Sequence, residues 1–280
     1  MDDKTKPPPA HTYGAPLHPL DDMQAASDSR AVDLEKVGIC DLKYPIVVLD
    51  QENQTQQTVA SISASVNLPH HFKGTHMSRF IEVLDRHRGE ITMRTLPDIL
   101  TTLRQRLDAE SSHLEVFFPY FLERQAPQSG ASALMHYDCW FKATSSTSED
   151  SFLVGVSVPV TSLCPCSKAI SDYGAHNQRG YIEIEVKPDE DESGSPKMIW
   201  LETLISIAES SGSAPVYPLL KRADERHVTM QAYDNPVFVE DMVRNASVLL
   251  RGLKEVEWFR VRAENIESIH NHSAFAEATS

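Results

Sequence analysis

The sequence predicts an α+β fold built as two tandem units, each an antiparallel sheet with two helices packed on one face. Three observations predict it. Apolar residues alternate at period two over several runs, the pattern of half-buried strands. Pairs of stretches with apolar residues at helical spacing stand between those runs. The order strand, strand, helix, helix, strand, strand then occurs twice in 280 residues, without visible sequence likeness between the halves. A single α+β domain with the same elements stays open as the simpler arrangement.

Residues 1–34 are rich in Pro, Ala, Asp and Ser and have no hydrophobic period, so they read as a disordered tail. The first unit, 35–148, opens with strands over Tyr44–Leu49 and Val59–Leu68, joined by the polar hairpin connection QENQTQQ. HHFKGTHMSRF leads into a helix with Phe80, Ile81 and Leu84 on one face. Pro97 opens a second helix, where its missing N–H costs little, and Ile99, Leu100, Leu103 and Leu107 form its stripe. Strands over His113–Leu122 and Ala133–Thr144 flank the turn-rich QAPQSGA.

The second unit, 149–280, starts with a strand marked by Phe152, Val154, Val156 and Val158, then one marked by Ile182, Ile184 and Val186. The acidic DEDESGSP is a solvated loop. Leu201, Leu204, Ile205 and Ala208 mark a helix. Asn235-Pro236 reads as an N-cap with Pro at the first helical position of the next one. Val256–Ala263 and the segment after His272 supply the last two strands.

A formal net charge of −14 argues against a general nucleic-acid binder, which needs a basic face. It leaves room for a small anion held by a few local cations. No apolar run approaches the roughly 20 residues that span a bilayer. The N-terminus lacks the pattern of a secretory signal, so the cytoplasm is the expected compartment. Cys40, Cys139, Cys164 and Cys166 are too few and too unevenly placed for a disulfide framework, which turns attention to metal binding or reactivity.

Chemistry concentrates in SVPVTSLCPCSKAISDYGAHNQRG, where Cys164, Cys166, Lys168, His176 and Arg179 share one inter-strand connection. Thiolate and imidazole suit Zn²⁺, and carboxylate company also admits Mn²⁺ or Fe²⁺. From spacing alone, a buried structural cysteine beside a loop histidine explains them equally. LLKRADER offers Glu225 as a third ligand with Lys221 and Arg222 for phosphate, although composition alone favours a solvated charged linker. Glu240 falls in the first turn of the helix after Pro236, where a carboxylate favours the helix N-terminus or receives hydrogen bonds from an amidine-like edge. Glu267, His270 and His272 crowd the C-terminal segment, with the two histidines expected on one face of an extended stretch.

VPVTSLCPCSK, YGAHNQR, YPLLKR, the DE of ADER, NPVFVEDMVR, ESIHNHSA and KGTHMSRF stand here in one order. In that order they resemble the type IB GTP cyclohydrolases, over about residues 35–280. Ala169 and Ala223 depart from the family pattern, and neither is a position assigned to chemistry. The resemblance implies a tunnelling fold, a homotetramer with active sites at subunit interfaces, and GTP as substrate. It implies one divalent metal per site (Zn, Mn or Fe), with Cys164, His176 and Glu225 as ligands. Glu240 would anchor guanine. Lys73, Arg79, Lys168, Arg179, Lys221 and Arg222 are the candidates for the triphosphate. His270 would move protons, with His272, Glu267 and Cys164 beside it. The implied reaction takes GTP and water to 7,8-dihydroneopterin triphosphate and formate, at the head of folate and pterin biosynthesis. Two other readings remain at this point: a tunnelling-fold enzyme with a cysteine nucleophile acting on a deazapurine, and a non-catalytic structural metal protein.

Overall fold

A computed structural model of the chain describes residues 22, 24, 26, 28–87, 91–147, 150–192 and 194–280. Residues 1–21 of the expected tail lie outside them. Of its remainder, Gln24 and Ala26 accept the amide protons of Gly74 (3.1 Å) and Lys73 (2.9 Å), so this part of the tail is bonded to the KGTH segment.

Strands β1 (Leu34–Asp50) and β2 (Gln54–Leu68) form an antiparallel hairpin. Its connection is shorter than QENQTQQ, because Gln54–Gln57 pair with Val47–Asp50 in the ladder. The buried Asp50 carboxylate closes the turn by accepting the N–H groups of Glu52 (2.9 Å) and Asn53 (2.7 Å). Gln56 is satisfied within the sheet: its side chain donates to Phe121 O and accepts from Phe121 N, both at 2.8 Å.

Helix α1 (Met77–Arg86) buries Phe80, Val83 and Leu84, spaced i, i+3, i+4. Ile81, expected on that face, is 40% exposed, and Val83 is buried instead. Helix α2 (Leu96–Leu107) buries the predicted stripe of Ile99, Leu100, Leu103 and Leu107, with Pro97 in its first turn. β3 (Ser111–Gln125) and β4 (Ser132–Ser146) form a long hairpin. β5 (Asp150–Leu163) pairs with β4 from Asp138–Ser157 to Ser145–Asp150, so the sheet runs on across the middle of the chain. Gly155 is required at this seam, where an added Cβ would stand 2.0 Å from the Trp140 indole. That indole donates to the Glu185 carboxylate at 2.7 Å.

After β5 come α3 (Pro165–Ile170), β6 (Asn177–Pro188), α4 (Leu201–Ser211) and the two-residue β7 (Ala214–Pro215). Then follow α5 (Arg222–Asp234), α6 (Val239–Arg251), β8 (Val256–Ile266) and β9 (Ser273–Thr279). Among the described residues this makes one antiparallel sheet in the order β1-β2-β3-β4-β5-β6-β8-β9, with β7 added to β5. One apolar core runs along it, and α1, α2, α4 and α6 all bury residues in that core.

Three expectations need correction. The ADER stretch is not a linker: Arg222 opens α5, because the Asp224 carboxylate accepts the Lys221 N–H at 2.8 Å and caps a helix that has almost no apolar stripe. Asn235 does not cap α6. It ends α5 and donates its side-chain amide to Gly212 O (3.0 Å) and Ser213 O (3.3 Å). α6 begins at Val239, with Asp241 accepting the Phe238 N–H at 3.1 Å. His270 and His272 lie in the connection between β8 and β9 rather than on an extended strand.

Candidate functional site

Cys164 follows the last residue of β5, in extended backbone, and Pro165 after it starts α3. Proline suits that first helical position, so the chain turns away sharply and leaves the thiol at the turn. One hydroxyl holds the base of the loop. Ser167 Oγ donates to Cys164 O at 3.2 Å and accepts the His176 N–H at 3.2 Å. The Cys164 N–H donates to His176 O at 3.1 Å, so the cysteine and the histidine are bonded neighbours although twelve positions apart. The Ser167 N–H points at Cys164 Sγ, 3.4 Å away. Both Cys164 and His176 are half-buried, whereas Cys166 is exposed.

Behind His176 stands Gln178, which is 8% exposed. Two positions apart on extended backbone puts the two side chains on the same side. His176 Nδ1 lies 2.8 Å from Gln178 Oε1, and Gln178 Nε2 donates to Glu267 Oε1 at 2.8 Å. The Ser268 N–H donates to the same Gln178 Oε1 at 3.3 Å, and Ser268 Oγ is 3.3 Å from His176 Nδ1. The YGAHNQR and ESIHNHSA segments are thereby joined directly. His270 and His272 follow in the same connection, exposed, with rings stacked at 5.2 Å and 18°.

The start of α6 is stitched to the same place. Val237 N–H donates to Leu163 O (3.1 Å), and Ser162 Oγ donates to Val237 O (3.2 Å). Asn265 Nδ2 donates to Ser162 Oγ at 2.9 Å in the interior. Glu240, three residues after Val237, is exposed in the first turn of α6.

Glu225, Lys221 and Arg222 stand exposed at the start of α5. That end is clamped to the β3–β4 turn by Asp224, which accepts from Gln128 N (2.7 Å), Ser129 N (2.8 Å) and Ser129 Oγ (2.6 Å). Burial pushes the Asp224 carboxyl up, but the Ser129 hydroxyl and the amides of Ser129, Lys221 and Gln128 outweigh it and hold the group well below the usual carboxylate range. Lys168 donates to Tyr233 O on α5, and its ammonium lies 4.2 Å over the Tyr233 ring. Arg179, exposed on β6, borders a cavity of about 310 Å³ with His136, Asp138, Tyr181 and Tyr217. Lys73 and Arg79 belong to the first half, and Arg79 Nη1 donates to Arg106 O at 3.1 Å.

The structure thus bonds Cys164 to His176 through the main chain and links His176 to Glu267 through Gln178, with His270 and His272 in the adjoining loop. Among the described residues, no three His, Cys, Asp or Glu side chains stand together as a metal-binding group, Cys164, His176 and Glu225 included. The donor chemistry of the half-site still suits a divalent ion. The residues that carry a thiol and an imidazole are bonded through their main chains, and the imidazole's Nδ1 is engaged by an amide oxygen, which leaves Nε2 for a metal. Sequence reasoning missed Gln178, Ser268 and Asp224. The two-residue spacing of His176 and Gln178 was the one local signal for any of them.

A family model for type I GTP cyclohydrolase folE2 matches residues 20–276. The chain is 54% identical over 255 residues to the GTP cyclohydrolase FolE2 of Syntrophotalea carbinolica, covering 91% of this chain and 93% of that one. It is 53% identical over 257 residues to the FolE2 of Citrifermentans bemidjiense, covering 92% and 93%. Among solved structures it is similar to a highly active mutant of Bacillus sp. TB-90 urate oxidase, with TM-score 0.53, 10% identity and coverage of 88% and 99%. Urate oxidase from Bacillus subtilis 168 gives TM-score 0.51, 9% identity and coverage of 88% and 98%. At such identities the likeness to urate oxidases is one of fold alone.

Proposed function

Since the chain belongs to the type I GTP cyclohydrolase folE2 family, we propose that it is a GTP cyclohydrolase that takes GTP and water to 7,8-dihydroneopterin triphosphate and formate. The reaction feeds folate and pterin biosynthesis. The structural observation that carries the assignment of the site is the bonded run His176–Gln178–Glu267, which joins two otherwise distant motif segments.

In this reading Cys164, His176 and Glu225 hold one divalent metal, with zinc, manganese and iron the candidates. When bound, such an ion supplies Lewis acidity and lowers the pKa of water at the hydrolytic steps. Glu240 receives the N1–H and amino group of guanine through two parallel hydrogen bonds, and so sets the position of purine C8. Lys73, Arg79, Lys168, Arg179, Lys221 and Arg222 are the cations proposed for the triphosphate. His270 transfers protons during imidazole ring opening, formate release and ribose rearrangement, with His272 and Glu267 beside it.

The reading also takes the chain as two tandem tunnelling-fold units, 35–148 and 149–280, that assemble as a homotetramer in the cytoplasm. In this reading the active sites lie at subunit interfaces. No described helix is long and apolar enough to cross a membrane.

The test is incubation of the protein, reconstituted separately with Zn²⁺, Mn²⁺ and Fe²⁺, with GTP, followed by formate measurement and identification of the pterin. Formate and 7,8-dihydroneopterin triphosphate in equal amounts are expected from at least one metal form. Cys164→Ala is expected to abolish formate release while the oligomer survives, and full activity in that variant would remove Cys164 from the metal site.

A further inference from the structure

Gln178 is nearly buried, and its amide has only one orientation that fits its surroundings. The Ser268 backbone N–H is a donor and nothing else, so the atom facing it at 3.3 Å is Oε1. The Glu267 carboxylate is an acceptor, so the atom facing it at 2.8 Å is Nε2. Reversing the amide would set donor against donor at Ser268 and oxygen against oxygen at Glu267. The same Oε1 lies 2.8 Å from His176 Nδ1, and an amide oxygen only accepts. The proton therefore sits on Nδ1, so in the neutral ring the lone pair is on Nε2. The His176 backbone is locked as well, by Ser167 Oγ on its N–H and by the Cys164 N–H on its carbonyl.

We infer that Gln178 is a positioning residue: it fixes the His176 imidazole as the Nδ1–H tautomer with Nε2 presented outward, and it holds the Glu267 carboxylate in register with that ring. The inference rests on the metal role proposed for His176. It adds that one neutral side chain sets both the ligand nitrogen and the orientation of the neighbouring carboxylate. Neutrality matters, since a second carboxylate in place of Gln178 would repel Glu267 and an aliphatic side chain would hold neither neighbour.

The test compares the full-length wild type, Gln178→Leu, Gln178→Glu and His176→Ala. In metal-free protein carrying ¹⁵N-labelled histidine, His176 is expected as the Nδ1–H form in the wild type and shifted toward Nε2–H in Gln178→Leu. Zn²⁺ affinity, read by competition with a chromophoric chelator, is expected to fall on the order of 10–100-fold in Gln178→Leu. Gln178→Glu keeps an acceptor toward Nδ1 and removes the donor toward Glu267. It is expected to retain Zn²⁺ affinity close to wild type while formate release falls. Wild-type Zn²⁺ affinity or an unchanged tautomer in Gln178→Leu overturns the inference. If Gln178→Leu does not fold, Gln178→Glu decides: a loss of affinity as large as that of His176→Ala overturns the inference, and retained affinity with reduced formate release supports it. The metal role of His176 fails separately, if His176→Ala binds Zn²⁺ as the wild type does.

Discussion

Asp224 does for α5 what Ser167 does for the loop after β5: one short polar side chain satisfies several backbone groups at once. Its carboxylate accepts from Gln128, Ser129 and Lys221 in the interior, at 0% exposure. Asparagine there would turn an amide donor toward groups that are themselves donors, so Asp224→Asn is expected to lower the melting temperature at pH 7. The sign of the pH dependence follows from the lowered carboxyl. A group depressed in the folded state stabilises above its unfolded value near 4 and loses that contribution as pH falls through its folded value. The melting-temperature gap between parent and variant should therefore narrow progressively below about pH 4, and a gap constant with pH would contradict the assignment. Asp224 also shows why part of the site was illegible in the sequence. Cys164, His176, Glu267, His270 and His272 announce themselves by residue type and crowding. Asp224 and Gln178 act through partners roughly 90 positions away, Ser129 and Ser268, which no local pattern relates to them.

At the scale of elements, periodicity was a reliable guide wherever one face is buried. Helix α4 buries Leu201, Leu204, Ile205, Ile207 and Ala208 over β5 and β6, and that stripe is plain in the sequence. Leu204 is fully buried, so Leu204→Ala is expected to cost about 2–5 kcal/mol in denaturant unfolding. A loss below about 1 kcal/mol would mean that the core under α4 is looser than described. Helix α5 was invisible for the opposite reason. Only Asp224 and Ala232 are buried along it, so it carries no apolar stripe, and its charged residues read as a linker. Most strand ends were read short, although the end of β2 at Leu68 and the start of β8 at Val256 fall where the sequence placed them. β1 begins at Leu34, well before the apolar run at Tyr44, because ladder hydrogen bonds persist where the side chains are polar or exposed.

At the scale of the molecule, the order of strands and helices was legible apart from α3, β7 and α5, and the union of the halves was not. Alternating apolar residues say that a strand has a buried face, but they do not name the strand beside it. Here β4 and β5 pair, Gly155 admits the Trp140 ring, and that ring reaches Glu185 on β6. The core is continuous beneath this seam. Thermal unfolding should accordingly follow one transition, coincident by far-UV circular dichroism and tryptophan fluorescence, and two resolved transitions would count against the shared core. The seam also makes the chain a natural candidate for a split reporter. Separated between β4 and β5, each fragment would carry an unsatisfied strand edge shaped for the other. Co-expressed pieces would then find one another by completing the ladder, and GTP turnover would report their reunion.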